Sequence, residues 1–184
     1  MEVWTLEVAP GIGKTVVDMD ELDLNFGREI LKEAGGEQIS KCFQCGVCAA
    51  SCPVTAVDKR FNPRRIIHIA LLGMRKQVLT SDFVWLCSQC YMCHERCPQD
   101  VRIPDLMLAL RNIAVRAGYV HPAYKELASA LKSHSRVYEI EDFVNLKRKK
   151  MGLPPLTIGL LDVKTIIEKT GLDADLQKSE AASQ

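Results

Sequence analysis

Cysteine is the residue type of this sequence whose spacing most clearly suits chemistry. Its eight copies fall into two runs of one pattern, C-x2-C-x2-C-x3-C-P, and none lies outside them. The runs contain Cys42, Cys45, Cys48 and Cys52, then Cys87, Cys90, Cys93 and Cys97. This spacing is a known signature of iron–sulfur ligation, because three thiolates on one loop can each reach one iron of a four-iron cubane. The sequence therefore predicts two [4Fe–4S] clusters.

The last cysteine of each run is expected to bind the cluster of the other run, as in other two-cluster proteins. The predicted ligands of the first cluster are Cys42, Cys45, Cys48 and Cys97. Those of the second cluster are Cys87, Cys90, Cys93 and Cys52. Crossed ligands would hold the two runs together and bring the clusters close enough for fast electron exchange. Within the first run, Gly46 allows close approach of the backbone and a positive φ.

Zinc is the main alternative for these thiolates, since it is often held by four cysteines in paired C-x2-C knuckles. The third cysteine of each triplet fits that arrangement poorly. His94 lies between cluster cysteines and is a conceivable Rieske-type ligand, but four cysteines per cluster are already available. We expect no disulfides, because clustered cysteines in a cytoplasmic protein more often bind metal.

Length and composition restrict the remaining function classes. The chain has 184 residues and a net charge of +1, and its basic excess is too diffuse to argue for nucleic acid binding. We see no signal peptide, and charges interrupt the apolar stretches well before the ~18 residues of a membrane span. A cytoplasmic location is therefore expected. Paired carboxylates, a G-x-G-x-x-G loop and a nucleophile–base pair are all missing, so we expect no catalytic residue in this chain.

The elements that must position the cysteines are predicted to be mainly α-helical. Asn62 is the expected N-cap of the clearest helix, with Pro63 in its first turn and apolar residues at helical spacing as far as Val78. A short strand is predicted over residues 1–8. Further helices are predicted over residues 26–34, 82–86, 104–117, 122–133, 139–151 and 162–170.

The predicted elements divide the chain into four segments. Residues 1–37 are predicted to form an N-terminal arm with a short strand and a helix. Residues 38–118 form the expected domain with two [4Fe–4S] sites. Residues 119–172 are expected to be a helical extension for partner docking, and residues 173–184 a disordered tail.

Several motifs give the chain a resemblance to a known family. They are Cys45-Gly46-Val47-Cys48, Asn62-Pro63-Arg64 opening an apolar helix that ends at Leu72-Gly73, Trp85-Leu86-Cys87, the run from Cys90 to Pro98, and Ile103-Pro104-Asp105. With these residues the sequence resembles the C subunit of heterodisulfide reductase, the small iron–sulfur subunit of the methanogen enzyme. The resemblance covers residues 38–118. It implies the α-helical ferredoxin fold, in which helices link two cluster-binding loops.

The resemblance also implies partners. The A subunit of that enzyme, a flavin and iron–sulfur protein, would take electrons from a hydrogenase or formate dehydrogenase and bifurcate them towards ferredoxin. The B subunit would reduce the mixed disulfide of coenzyme M and coenzyme B in methanogenesis. The present chain lacks paired Cys-Cys-Gly motifs, so the active site is expected on the B subunit. Its own role would be that of a non-catalytic electron-transfer subunit.

Other functions remain open from the sequence. The chain could be a free ferredoxin, although eight cysteines need far fewer than 184 residues for that task. It could also be the related iron–sulfur subunit of a succinate, fumarate or sulfur-metabolising complex, which the neighbouring genes would decide. A structural zinc protein would differ by being colourless.

Overall fold

The computed structural model describes residues 19–156, 161–172 and 174. The chain separates into two compact units, Met1–Ala117 and Gly118–Gln184. Both are helical in the described residues, and no strand occurs there. The predicted mainly α-helical fold is confirmed. The strand predicted over residues 1–8 and the tail predicted from residue 173 fall almost entirely outside the described residues.

The first unit contains seven helices in its described part, joined by short connections. They are α1 (Phe26–Lys32), α2 (Val47–Ala50), α3 (Pro53–Val57), α4 (Pro63–Leu71), α5 (Arg75–Leu79), α6 (Met92–Glu95) and α7 (Ile103–Arg116). Three 3₁₀ turns, Met19–Glu21, Ile39–Lys41 and Asp82–Leu86, complete the unit. The helices that hold cysteines, α2 and α6, are single turns of four residues.

One apolar core underlies this unit. Helix α7 packs against α5, α6 and the turn Asp82–Leu86, and α4 packs against α1, α2 and α5. The largest fully buried side chains come from these elements and the segments next to them: Phe26, Phe61, Ile30, Ile39, Ile66, Ile67, Leu79, Leu106, Met107, Leu110, Ile113 and Val78. Burial of such side chains stabilises each by about 1.5–3 kcal/mol relative to exposure. The core therefore fixes the helices from which the cysteine loops emerge.

Helix α4 begins as predicted and ends earlier than its apolar pattern suggests. The Asn62 side chain accepts a hydrogen bond of 3.1 Å from the backbone N–H of Arg65, which caps the helix. The chain then breaks at Gly73, whose φ is +80°, and resumes as α5. A Cβ on Gly73 would lie 2.6 Å from the carbonyl oxygen of Asp23, so only glycine permits this close approach. The apolar spacing that continues to Val78 therefore spans two helices, and the first ends at Leu72-Gly73, as the motif comparison implied.

The second unit contains three helices in its described part. They are α8 (Pro122–His134), α9 (Asp142–Lys150) and α10 (Leu161–Thr170). The Nδ1 atom of His121 accepts a 3.3 Å hydrogen bond from the N–H of Ala123 and so caps α8, which starts at residue 122 as predicted. Helix α8 packs against α10. Ile140 and Ile167 are the buried hydrophobic side chains that the structure describes in this unit, far fewer than in the described part of the first unit.

No helix among the described residues has both the length and the apolar character needed to cross a membrane.

Candidate iron–sulfur centre

Each cysteine loop begins directly after a 3₁₀ turn. The turn Ile39–Lys41 precedes Cys42, and the turn Asp82–Leu86 precedes Cys87. Both cysteines have extended backbone, with φ and ψ of −71° and 112° at Cys42 and of −63° and 118° at Cys87. The chain therefore leaves its helical path at the first thiol of each run.

Each loop then contains two residues with positive φ, which turn the backbone. They are Gln44 and Gly46 in the first loop, at 65° and 85°, and Gln89 and Tyr91 in the second, at 52° and 61°. Turns that include left-handed residues direct successive backbone N–H groups toward an anion, and many iron–sulfur sites use them. The positive φ predicted as possible at Gly46 is observed. The spacing of the cysteines did not reveal the other three.

The third cysteine of each run lies in a single helical turn. Cys48 belongs to α2 and Cys93 to α6, and both are buried. Cys45 and Cys90, which come second in each run, are both exposed. The first and fourth cysteines are half-buried in both runs. All eight lie in the described part of the chain and are free thiols.

Helices α2 and α6 pack against each other, which brings the two loops together. A pocket at the first loop is lined by Cys42, Cys45, Cys48 and Cys97. Three of these thiols belong to the first run and the fourth comes from the second run. The Sγ of Cys97 also accepts a 3.3 Å hydrogen bond from the N–H of Val101, and the Sγ of Cys42 accepts one of 3.4 Å from Nε2 of Gln44. Such bonds stabilise a negatively charged sulfur.

The pKa shifts of the buried thiols indicate which cysteines lie near one another. Burial raises the pKa of Cys48 to about 11, and the charges of Cys42 and Cys45 add to the shift. Burial likewise raises the pKa of Cys93 to about 12, with contributions from the charges of Cys87, Cys48 and Cys52. Cys52, the last cysteine of the first run, therefore lies close to thiols of the second run.

Cys87 is placed between two opposing influences. Burial raises its pKa above the ordinary value, and the charge of Cys52 acts in the same direction. The backbone N–H of Gln89 and the guanidinium of Arg111 act against that shift. Burial prevails, so the pKa of Cys87 lies above its ordinary value and the thiol form is favoured, although Gln89 and Arg111 make the shift smaller.

The chemistry of these donors fits a four-iron cluster. Four thiols from two segments meet at one pocket, as the crossed assignment requires. In a cubane each thiolate binds a different iron, so four cysteines lining one pocket suit such a cluster. When bound, such a cluster would supply one-electron oxidation and reduction at this position.

Residues 38–101 match the family described as a 4Fe-4S dicluster domain. The C subunit of the H(2):CoB-CoM heterodisulfide,ferredoxin reductase of Methanothermobacter thermautotrophicus is 35% identical over 167 residues, which cover 87% of this chain and 89% of that protein. The second iron-sulfur C subunit of the CoB–CoM heterodisulfide reductase of Methanocaldococcus jannaschii is 35% identical over 173 residues, covering 86% and 91%. The chain belongs to the C-subunit family of heterodisulfide reductases.

Membership of this C-subunit family confirms the resemblance found from the motifs. A protein of Archaeoglobus profundus, described as like the heterodisulfide reductase C subunit, is also similar, with 32% identity over 155 residues that cover 78% of this chain and 79% of that protein. The chain is an iron–sulfur subunit with an electron-transfer role in an oxidoreductase complex, and its clusters are of the [4Fe–4S] type.

The sequence did not indicate Arg111, a residue that positions the second cysteine loop. Arg111 in α7 is only 7% exposed, and its Nη2 donates a 2.8 Å hydrogen bond to the carbonyl oxygen of Cys87. Its Nε donates another of 2.8 Å to the carbonyl oxygen of Val84. The side chain therefore fixes the entry to the second loop. The signal that could have identified it is its position on the apolar face of a long helix, four residues after Met107 and three before Ala114.

Tyr91, which follows Cys90, lies in the motif quoted for the resemblance, but the sequence did not indicate its hydrogen-bond partner. Its hydroxyl donates a 3.0 Å hydrogen bond to Oδ1 of Asp105 at the start of α7, and Arg102 forms an ion pair of 2.9 Å with the same carboxylate. His94 contacts Tyr91 edge to face, and its Nδ1 lies 3.8 Å from Oδ1 of Asp100. These contacts give both aromatic side chains a place in the packing around the second loop.

Proposed function

We propose that this chain relays electrons, one at a time, between two other subunits of a heterodisulfide reductase complex. It would receive them from the flavin-containing A subunit and deliver them to the disulfide-reducing B subunit, which reduces the mixed disulfide of coenzyme M and coenzyme B in methanogenesis. A hydrogenase or formate dehydrogenase would supply the flavin protein with electrons. The active site would lie on the disulfide-reducing partner, so this chain alone would not reduce the disulfide.

The observation that carries the proposal is the pocket lined by Cys42, Cys45, Cys48 and Cys97. These are the four ligands proposed for the first cluster. The four proposed for the second are Cys87, Cys90, Cys93 and Cys52. Support for the second set comes from the influence of Cys52 on the pKa values of Cys87 and Cys93. Two clusters held by crossed ligands would lie close together.

The names of the relatives support the choice of substrate and partners. They include the C subunit of a ferredoxin:CoB-CoM heterodisulfide reductase from Methanosarcina mazei and the C2 subunit of an H(2)/formate:CoB-CoM heterodisulfide,ferredoxin reductase from Methanococcus maripaludis. Those names describe complexes that exchange electrons between a donor and the heterodisulfide. We therefore assign this chain to the same kind of complex.

The side chains of this chain would hold and protect the clusters rather than act on substrate. The N–H groups directed at the Sγ atoms of Cys97 and Cys42 lower the cost of burying negative sulfur. We propose that residues 38–118 form the cluster domain and that residues 119–172 provide docking surface for the other subunits. Residues 1–37 would be an arm on that domain.

The test is reconstitution of the complex under anaerobic conditions with and without this chain. With it, electrons from the physiological donor should reach the heterodisulfide; without it, that transfer should stop. The disulfide-reducing partner, supplied with a small-molecule reductant, should retain its activity in both cases. Disulfide reduction by this chain alone would overturn the proposal.

Metal analysis of the purified chain distinguishes a cluster protein from a zinc protein. About eight irons and eight acid-labile sulfides per chain are expected for two [4Fe–4S] clusters. A colourless protein with about two zinc ions would instead support the structural alternative.

A further inference from the structure

Arg64 has a special place among the residues around the first cluster site. Among the described residues that line the pocket with Cys42, Cys45, Cys48 and Cys97, it alone carries a formal charge. Its side chain is exposed at the N-terminal end of α4. The neighbouring Arg65 does not line the pocket.

The contact with Gly46 places this guanidinium on the loop itself. A Cβ added to Gly46 would lie 3.6 Å from Cδ, 3.9 Å from Nε and 3.9 Å from Nη1 of Arg64. The arginine therefore lies over the left-handed residue that follows Cys45. At the equivalent position of the second loop the chain has Tyr91, bonded to a carboxylate oxygen of Asp105 at 3.0 Å.

A fixed positive charge beside an iron–sulfur cluster favours its reduced state, because reduction adds negative charge at the site. Since Arg64 is exposed, water and salt screen the effect, which should fade as the Debye length falls from about 10 Å at 0.1 M salt to about 3 Å at 1 M. The effect should also act mainly on the nearer cluster.

We propose that Arg64 raises the reduction potential of the cluster on the first loop and is the residue through which that potential responds to ionic strength. The inference rests on the proposed two-cluster function. By changing the potential of one cluster, the exposed arginine would change the potential difference that drives electron transfer between the two clusters. Arg64 would act through its charge alone, without binding iron or substrate.

The experiment is a redox titration of the full-length, cluster-loaded chain, followed by electron paramagnetic resonance. The variants are Arg64→Lys, Arg64→Gln and Arg64→Glu, with Arg65→Gln as the matched control on the same helical turn. Cys45→Ser and Cys90→Ser variants assign each signal to the first or second loop. Iron and sulfide analysis of every sample shows how many clusters are present.

We expect a change that follows the charge at position 64. In 0.1 M salt, Arg64→Gln should lower the reduced-to-oxidised ratio of the first-loop cluster at fixed potential by roughly three- to tenfold. Arg64→Glu should lower it further, and Arg64→Lys should retain most of the original value. In 1 M salt the differences should shrink, and the second-loop signal should change much less throughout.

The outcomes separate this inference from the proposed function. A wild-type chain without two clusters would contradict the proposed function itself. Two intact clusters with potentials that do not depend on the charge at position 64 would overturn the role of Arg64 alone. An equal shift in Arg65→Gln would do the same, since it would show a general effect of surface charge.

Discussion

The two cysteine loops follow the same backbone path but are held by different neighbours. Each begins after a 3₁₀ turn, contains two residues with positive φ and ends in one helical turn that buries its third cysteine. The paths differ after the shared proline. Pro53 starts α3 at once, whereas α7 begins at Ile103, five residues after Pro98.

Their supporting residues differ more. The first loop has Gly46 with the exposed Arg64 lying over it. In the second loop the hydroxyl of Tyr91 donates a hydrogen bond to Asp105. The carbonyl oxygen of Cys87, where this loop begins, accepts a hydrogen bond from the buried Arg111. The cysteine spacing thus accounts for the shared path, while the helices after each run give the two loops separate electrostatic surroundings. Two sites built from one repeated motif can therefore acquire different potentials and stabilities.

The largest expected effect tests whether the loops are separate or crossed. Cys97→Ser should damage the cluster built on Cys42, Cys45 and Cys48, because the Cys97 thiol lines the pocket of that loop. Cys52→Ser should damage the other cluster. Electron paramagnetic resonance of each variant, with iron analysis, measures which of the two signals is lost or altered.

Cys45→Ser and Cys90→Ser are the matched controls for this pair, since each lies inside its own run. If Cys97→Ser and Cys90→Ser affect the same signal, the crossed assignment is wrong. Each loop would then bind its own cluster with four local cysteines.

The next effect concerns thiol reactivity after the clusters are removed. Burial raises the pKa of Cys48 to about 11 and of Cys93 to about 12, so at pH 8 both have far less thiolate than an ordinary cysteine. Because only the thiolate reacts, alkylation should be slower than at the exposed Cys45 and Cys90 by roughly 100-fold for Cys48 and roughly 1000-fold for Cys93. Raising the pH toward 10 should accelerate Cys48 and Cys93 further than the exposed pair. Mass spectrometry of iodoacetamide-treated protein measures each rate.

A urea-unfolded sample is the control, since all eight thiols should react at similar rates there. Equal rates in the native, metal-free sample would mean that the loops do not keep this geometry without a cluster. Slow reaction in only one run would show that the two loops differ in stability.

Sequence reasoning reached the parts of this fold that depend on local chemistry. The Asn62 cap, the His121-Pro122 start of α8 and the positive φ at Gly46 all follow from residue types at their own positions. The end of α4 at Leu72-Gly73 is local as well, since Gly73 has a φ of +80° and the N–H of Met74 donates a hydrogen bond to the carbonyl oxygen of Ile69. The close approach of Asp23 to Gly73 is different, because the two residues are distant in sequence and their contact is visible only in the structure.

At the cysteine loops, too, contacts between distant residues could not be predicted from the sequence. Cysteine spacing predicted which residues form the two loops, but left-handed backbone at Gln44, Gln89 and Tyr91 could not be read from residues that usually avoid it. Arg111 is buried only because three carbonyl groups of another segment accept its hydrogen bonds. Such partners are 24–27 residues away in sequence and become visible only in three dimensions.

The next expected effect follows from replacing Arg111, which holds the start of the second loop. Arg111→Met should lower the free energy of unfolding by about 3 kcal/mol, because the carbonyl groups of Val84 and Cys87 would lose buried hydrogen bonds. Arg111→Lys should restore little, since an ammonium group cannot reproduce the planar guanidinium fork. The midpoint of urea-induced bleaching of the cluster absorption measures the change.

Arg64→Met is the matched variant on the first loop. It replaces an exposed arginine and should change stability by less than about 0.5 kcal/mol. If both substitutions destabilise equally, the contrast between a buried and an exposed supporting arginine does not hold.

The smallest expected effect compares the left-handed residues after Cys45 and Cys90. Gly46→Ala should cost about 1 kcal/mol, because a side chain at a φ of 85° is strained while its nearest neighbour, Cδ of Arg64, lies at an acceptable 3.6 Å. Tyr91→Gly should be nearly neutral, since relief of a similar strain offsets the loss of the hydrogen bond to Asp105. Urea bleaching midpoints of both variants measure the difference. A cost at Tyr91 of about 3 kcal/mol or more would show that its ring is needed to pack the second loop, and that the two loops depend on different residues even at this shared position.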